Sequence, residues 1–220
     1  DLMVERIVEG ETSFWCERQN APMGDTRFLF NLDEASYCTL RPEGIVRADG
    51  TYVPFLAIAE VAAWWDPTPD KRDARGTDFA SCPIVMKDKD GFIYCIDVFL
   101  AQETSTSKQI AAIVDLLWHW QVPLLGIESN NFASLLVQDM REAIAQRAAA
   151  EGVQWEVDLL PVVNSQNKIL RIKTLEPMIH NGWLQLARTL SPHAFQQLAE
   201  FLPVEGAGHD DFPDALEGAC

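Results

Sequence analysis

The sequence predicts an α/β fold with a central mixed five-stranded sheet flanked by helices, and three observations predict it. Three apolar, strand-like runs at 55–63, 81–87 and 92–99 follow one another with no helical pattern between them. The last two are joined by Asp88-Lys89-Asp90-Gly91, whose terminal Asp-Gly is a hairpin signal. Beyond residue 104, stretches with helical spacing alternate with short apolar runs.

Residues 1–50 mix acidic turns with isolated aromatics (Phe14, Trp15, Phe28, Phe30) and show no sustained period. They read as a linker or surface-wrapping arm, with residues 51–220 as the folded domain. The run 55–63 is a buried strand that leads into Trp64-Trp65-Asp66-Pro67, and a loop holding Lys71, Arg72 and Arg75 follows. Residues 104–120 form an amphipathic helix with Ile110, Ile113, Val114, Leu117 and Trp118 on one stripe. A fourth strand at 122–127 ends in Glu128, and a second helix at 131–150 turns Leu135, Leu136, Met140 and Ile144 inward. A fifth strand is expected at 155–163 and a helix over 168–179 capped by Asn164-Ser165-Gln166-Asn167. A short extended piece at 183–187, a helix at 192–201 and a last helix from 211 complete the chain.

With 220 residues, 48% of them hydrophobic and 23% charged, the chain can bury one good core. No apolar run is long enough to span a bilayer, and Asp1-Leu2-Met3-Val4-Glu5-Arg6 is not a signal peptide. The absence of an initiator Met suggests a piece excised from something longer. Five widely spaced cysteines with no CxxC pair read as reduced thiols in a cytosolic protein, forming neither a zinc site nor a disulfide framework. The net charge of -16 argues against indiscriminate nucleic-acid binding. It does not exclude a nuclease, since a metal cluster itself needs carboxylates. There is no Walker A, GxGxxG or GxSxG pattern, so nucleotide hydrolysis, dinucleotide binding and serine-hydrolase chemistry have no support.

Three strands, helix, strand, helix, strand, then helices is the element order of the RNase H-like (retroviral integrase-like) fold. In that fold the first and fourth strands lie side by side, so Asp66 and Glu128 would face each other. The final helix crosses their ends and would bring Asp210, Asp211 or Asp214 to the same point. Carboxylates gathered in this way suit Mg²⁺ or Mn²⁺, and two such ions can activate a water and stabilise the leaving oxygen of a phosphodiester. Four of these residues also have a plain structural reading: Asp66 as a turn opener, Asp210 as an N-cap, Asp211 and Asp214 as a solvated helix edge, whereas Glu128 has less of one, since Asp, Ser or Asn would serve better in a turn. His209 is a ligand, a water-orienting group or a cap. Lys168 and Arg171 are weighed equally as phosphate contacts and as solvated surface.

The chain further resembles a known family. Trp65-Asp66-Pro67, Gly76-Thr77-Asp78-Phe79-Ala80, Gly126-Ile127-Glu128-Ser129-Asn130-Asn131-Phe132, Lys168-Ile169-Leu170-Arg171-Ile172, Gly182-Trp183-Leu184 and His209-Asp210-Asp211-Phe212-Pro213-Asp214-Ala215-Leu216 are similar to the C-terminal nuclease domain of tailed-phage terminase large subunits. The preceding Glu17-Arg18-Gln19-Asn20-Ala21-Pro22 resembles the linker from the packaging ATPase domain. The resemblance implies a metal-dependent endonuclease, using two Mg²⁺ or Mn²⁺ ions, that cuts concatemeric viral DNA in the host cytoplasm. It carries metal-ligand roles to Asp66, Glu128 and one Asp of the final cluster, placed on Asp211 with Asp210 and Asp214 as open neighbours. DNA contacts fall to Lys168, Arg171 and Arg72. Implied partners are double-stranded DNA, the ATPase domain, the portal protein and the terminase small subunit, with no membrane. The competing readings are another RNase H-like nuclease of resolvase or transposase type, and a non-catalytic module whose acidic face docks on a portal or motor partner.

Overall fold

The computed structural model describes residues 28–68, 78–102, 104–128, 133–204 and 208–220. In chain order the elements are β1 Tyr37–Arg41, β2 Gly44–Val46, β3 Tyr52–Pro54, a 3-10 turn Phe55–Ala57, β4 Ile58–Trp65, β5 Phe79–Asp88 and β6 Ile93–Gln102. There follow α1 Thr106–Trp120, β7 Leu124–Glu128, α2 Ala133–Glu151, β8 Asp158–Val162, α3 Lys168–Ile172, α4 Leu175–His180, β9 Leu184–Ala187, α5 Pro192–Ala199 and α6 Asp211–Ala219.

Among the described residues all the strands join one mixed sheet of nine, in the order β3-β2-β1-β9-β6-β5-β4-β7-β8. Within it, β6-β5-β4-β7-β8 is the expected five-stranded core: β4, β5 and β6 form an antiparallel meander, and β7 pairs parallel to β4 and β8 parallel to β7. The other four strands extend this core, with β9 parallel to β6 and β1 parallel to β9. The stretch expected as an arm thus supplies β1 and β2 at one sheet edge, its residues before 28 lying outside the described ones.

Helices cover both faces. On α1, Ile110, Ile113, Val114 and Leu117 are buried, and on α2 the stripe is Met140, Ile144 and Ala148; both follow the spacing of a helix with one apolar face. Trp64 and Trp65 are successive strand residues, so their indoles enter opposite layers. The helix expected over 168–179 is divided into α3 and α4 at Lys173-Thr174. Pro177 lacks the N–H that a continuous helix would direct to Lys173, and Thr174 Oγ1 caps the first piece by donating to the Arg171 carbonyl at 2.7 Å. No helix among the described residues is long and apolar enough to cross a membrane.

Candidate metal centre

The parallel register of β4 and β7 pairs Trp64 with Gly126 and Trp65 with Ile127, so the next residues in line are Asp66 and Glu128. Asp66 is fixed by one further backbone pairing beyond its strand: its N–H donates to the Ser81 carbonyl at 2.9 Å and its carbonyl accepts from Ser81 at 3.1 Å. The Pro67 that follows has no N–H to continue the ladder. On the other side α6 arrives with its first turn at the same strand ends. Its second residue, Phe212, donates its N–H to the buried Gln197 side chain of α5 at 2.7 Å, which satisfies one of the amides a helix start leaves unpaired.

One carboxylate oxygen from each of Asp66, Glu128 and Asp214 lies within 4.8 Å of the others. The resemblance placed the third carboxylate on Asp211; the group that closes contains Asp214, which is only 3% exposed. The electrostatic cost of this gathering is visible in the acids themselves. Burial, then the charges of Glu128 and Asp214, hold the Asp66 carboxyl well above its usual range, with Lys168 acting against them and Asp211 adding to the rise. Burial and Asp214 raise Glu128 likewise, with the Asn164 amide, Arg171 and Lys168 offsetting in part. The Oε2 atom of Glu128 is buried with no hydrogen-bond partner among the described residues. A donor set of hard carboxylate oxygens, one of them orphaned, fits a divalent cation of the Mg²⁺, Mn²⁺ or Ca²⁺ kind.

Two basic residues of α3 face this group. Lys168 Nζ lies 2.8 Å from Asp210 Oδ1 and 3.2 Å from Asp214 Oδ2. Burial would lower its pKa, but Asp214, Asp210 and Asp66 together raise it. Arg171 splits its fork, with Nη2 on Asp214 Oδ1 and Nη1 on Glu217 Oε2, both at 2.6 Å. Asp211 sits beside the closed group: its carboxyl, raised by burial against the opposing pull of the Phe79 N–H and Lys168, is turned toward His209, whose Nδ1 is 3.8 Å from Asp211 Oδ2. The His209 ring packs edge-on against Phe79, with centroids 5.1 Å apart. Arg72 lies outside the described residues.

Sequence reasoning passed over Glu217, Asn164 as a neighbour of Glu128, and Gln197. The first had a signal: Asp210, Asp214 and Glu217 recur at helical spacing, and so do Lys168 and Arg171, which gives two complementary faces of opposite charge.

The model of the terminase RNaseH-like domain matches residues 63–220. The chain belongs to this family. No curated protein sequence matches it. Among solved structures, the human cytomegalovirus terminase nuclease domain aligns with a TM-score of 0.52 at 13% identity, over 72% of this chain and 81% of that one. The nuclease domain of the large terminase subunit of bacterial virus Sf6 aligns with a TM-score of 0.52 at 10% identity, over 74% and 88%. A variant of that Sf6 domain with manganese gives 0.51 at 9% identity, over the same shares. At these identities the structures report the fold of this terminase RNaseH-like domain, which is the fold of a nuclease domain.

Proposed function

We propose that this terminase RNaseH-like domain is a metal-dependent DNA endonuclease that cuts concatemeric viral DNA during genome packaging by two-metal-ion hydrolysis. The observation that carries the reading is the closed group of Asp66, Glu128 and Asp214 at the ends of two adjacent parallel strands. The manganese-bound Sf6 variant supports the choice of cation.

Bound Mg²⁺ or Mn²⁺ supplies activation of a water and neutralisation of the charge that develops on the phosphodiester. The chain's own part is to hold the ligands. Asp66 lies within electrostatic reach of both the Glu128 and Asp214 carboxylates and of Asp211. We therefore assign Asp66, with Glu128 and Asp214, as the residues that would hold the cations, and Asp211 beside them as a further ligand. Asp210 keeps Lys168 at the rim, and His209 orients Asp211 and through it the water. Lys168, 38% exposed, is assigned to a DNA phosphate, and Arg72 keeps the same assignment from the sequence. Double-stranded DNA is the substrate. The partners are the packaging ATPase domain, which the linker 1–50 would join to a nuclease domain at 51–220 while lending β1 and β2 to its sheet, the portal protein and the small subunit, in the host cytoplasm.

The test is cleavage of supercoiled plasmid at low salt by the chain and by Asp66→Ala and Asp214→Ala, with Mg²⁺, Mn²⁺ or EDTA. Nicking and linearisation that need the metal and vanish in both variants are expected. Inactivity with excess protein, joined to no rise in melting temperature with Mn²⁺, would overturn the reading.

A further inference from the structure

We propose that Arg171 is a positioning residue for the metal centre, fixing the Asp214 carboxylate, and is not a phosphate contact; this rests on the metal-centre reading above. Three observations carry it. The first is burial: Arg171 is 9% exposed, and its Nε is buried with no partner among the described residues, so it presents no free edge to a DNA backbone. The second is commitment of the fork. Its two terminal nitrogens hold Asp214 Oδ1 and Glu217 Oε2 at 2.6 Å each, two charge-assisted bonds that a phosphate would have to break.

The third is the rigidity of its own backbone. The Arg171 N–H donates to the Asn167 carbonyl at 3.1 Å, and its carbonyl accepts from Thr174 N at 2.9 Å and Thr174 Oγ1 at 2.7 Å. Asn167 in turn caps α3 by accepting from the Leu170 N–H at 3.2 Å. A guanidinium fixed at its root and forked between residues three apart on α6 sets both the rotation of that helix and the rotamer of Asp214.

The two oxygens of Asp214 are thereby distinguished. Oδ1 is held by a buried, planar fork, whereas among the described residues Oδ2 is paired with the Lys168 ammonium at 3.2 Å, on a side chain 38% exposed. Oδ2 is the oxygen left for a cation shared with Asp66 and Glu128. A lysine at 171 would keep the charge and lose the fork, because an ammonium cannot hold two carboxylates in a fixed plane. This separates positioning from simple neutralisation, since deletion of a neutralising cation would strengthen metal binding.

The test is Mn²⁺ titration by calorimetry on the whole chain and on Arg171→Lys, Arg171→Met and Glu217→Gln. It is paired with DNA binding by fluorescence anisotropy in EDTA across a salt series. Positioning predicts that both Arg171 variants bind Mn²⁺ about 10- to 100-fold more weakly, as loss of a group orienting a ligand does, with DNA affinity and its salt slope unchanged. Glu217→Gln keeps an acceptor for the fork and is expected to stay folded, weakening Mn²⁺ in the same direction by less. Variants that bind Mn²⁺ as well as the parent, or better, overturn the proposal. So does a loss of DNA affinity with a shallower salt slope and unchanged Mn²⁺ binding, which would make Arg171 the phosphate contact. Failure of the parent chain to bind Mn²⁺ would instead remove the metal centre itself, and this inference with it.

Discussion

Gly218 of α6 lies directly against the indole of Trp64, so that a Cβ built at this position would stand 2.4 Å from Trp64 Cε2. The same indole excludes a side chain at Gly126 of β7, where a Cβ would fall 2.3 Å from Trp64 Cε3. Trp64 therefore sets the spacing between the final helix and the strand that carries Glu128. Alanine at 218 would gain up to about 1 kcal/mol of helix propensity. Overpacking against a rigid ring costs about 1–3 kcal/mol, and the second effect wins. Gly218→Ala is expected to destabilise the chain in urea and to weaken Mn²⁺ binding, because Asp214 sits one helical turn earlier on the same face. Trp64→Phe in the same background should recover part of both losses. Equal effects of Trp64→Phe with and without the alanine would refute the coupling.

A second prediction concerns the far end of the sheet. Asp88, 3% exposed, accepts from Arg47 and Tyr94 through Oδ2 and from the Asp90 and Phe92 amides through Oδ1, at 2.9 and 3.0 Å. Burial alone would raise its pKa, but the Tyr94 hydroxyl, Arg47 and the Phe92 N–H outweigh it and hold the carboxyl below the usual range. Arg47, itself buried, stacks 4.1 Å from the Phe92 ring centre, tying the start of the sheet to the β5–β6 hairpin. Removing one partner of such a buried pair costs about 3–5 kcal/mol, which is the loss expected for Arg47→Met. With a folded pKa below the unfolded value of about 3.9, Asp88 contributes stability that is present above that pH and lost as pH falls through the folded value. Urea midpoints of the chain and of Asp88→Asn should therefore differ most near neutrality and converge in acid below about pH 4. A constant gap across the series would count against the assignment.

What the sequence makes legible follows from how local each signal is. Asp66 and Glu128 stand at strand ends that apolar runs delimit, and the element order alone makes those strands neighbours, so their meeting could be read without coordinates. The third carboxylate could not, because Asp210, Asp211 and Asp214 all suit the start of a helix. Only the phase of α6 against α3 separates them: Asp210, Asp214 and Glu217 turn toward Lys168 and Arg171, while Asp211 turns toward Phe79 and His209. The strands β1, β2 and β3 are three to five residues long, too short for an alternating pattern to emerge, and their pairing rests on long-range partners. The division of α3 from α4 was within reach, since Pro177 marks it.

The metal centre should be a liability to the protein without metal. Asp66 and Glu128 both have folded pKa values raised above their unfolded ones, of about 3.9 and 4.3 for Asp and Glu. The native state consequently binds more protons than the unfolded state above that pH, and stability falls as pH rises through the folded values. In EDTA, the urea midpoint is expected to decline as pH rises above the unfolded carboxylate values. Asp66→Asn removes the most strongly raised carboxylate while keeping its backbone pairing with Ser81, and it should be more stable than the parent at pH 8. Histidines common to both proteins cancel in that difference. Saturating Mn²⁺ should reverse the ranking, because binding at 100 times the dissociation constant adds about 2.7 kcal/mol to the parent and much less to a variant that has lost this ligand. If Asp66→Asn is the less stable protein in EDTA at pH 8 and gains as much from Mn²⁺ as the parent, then Asp66 is a turn residue and the carboxylates are not a metal centre.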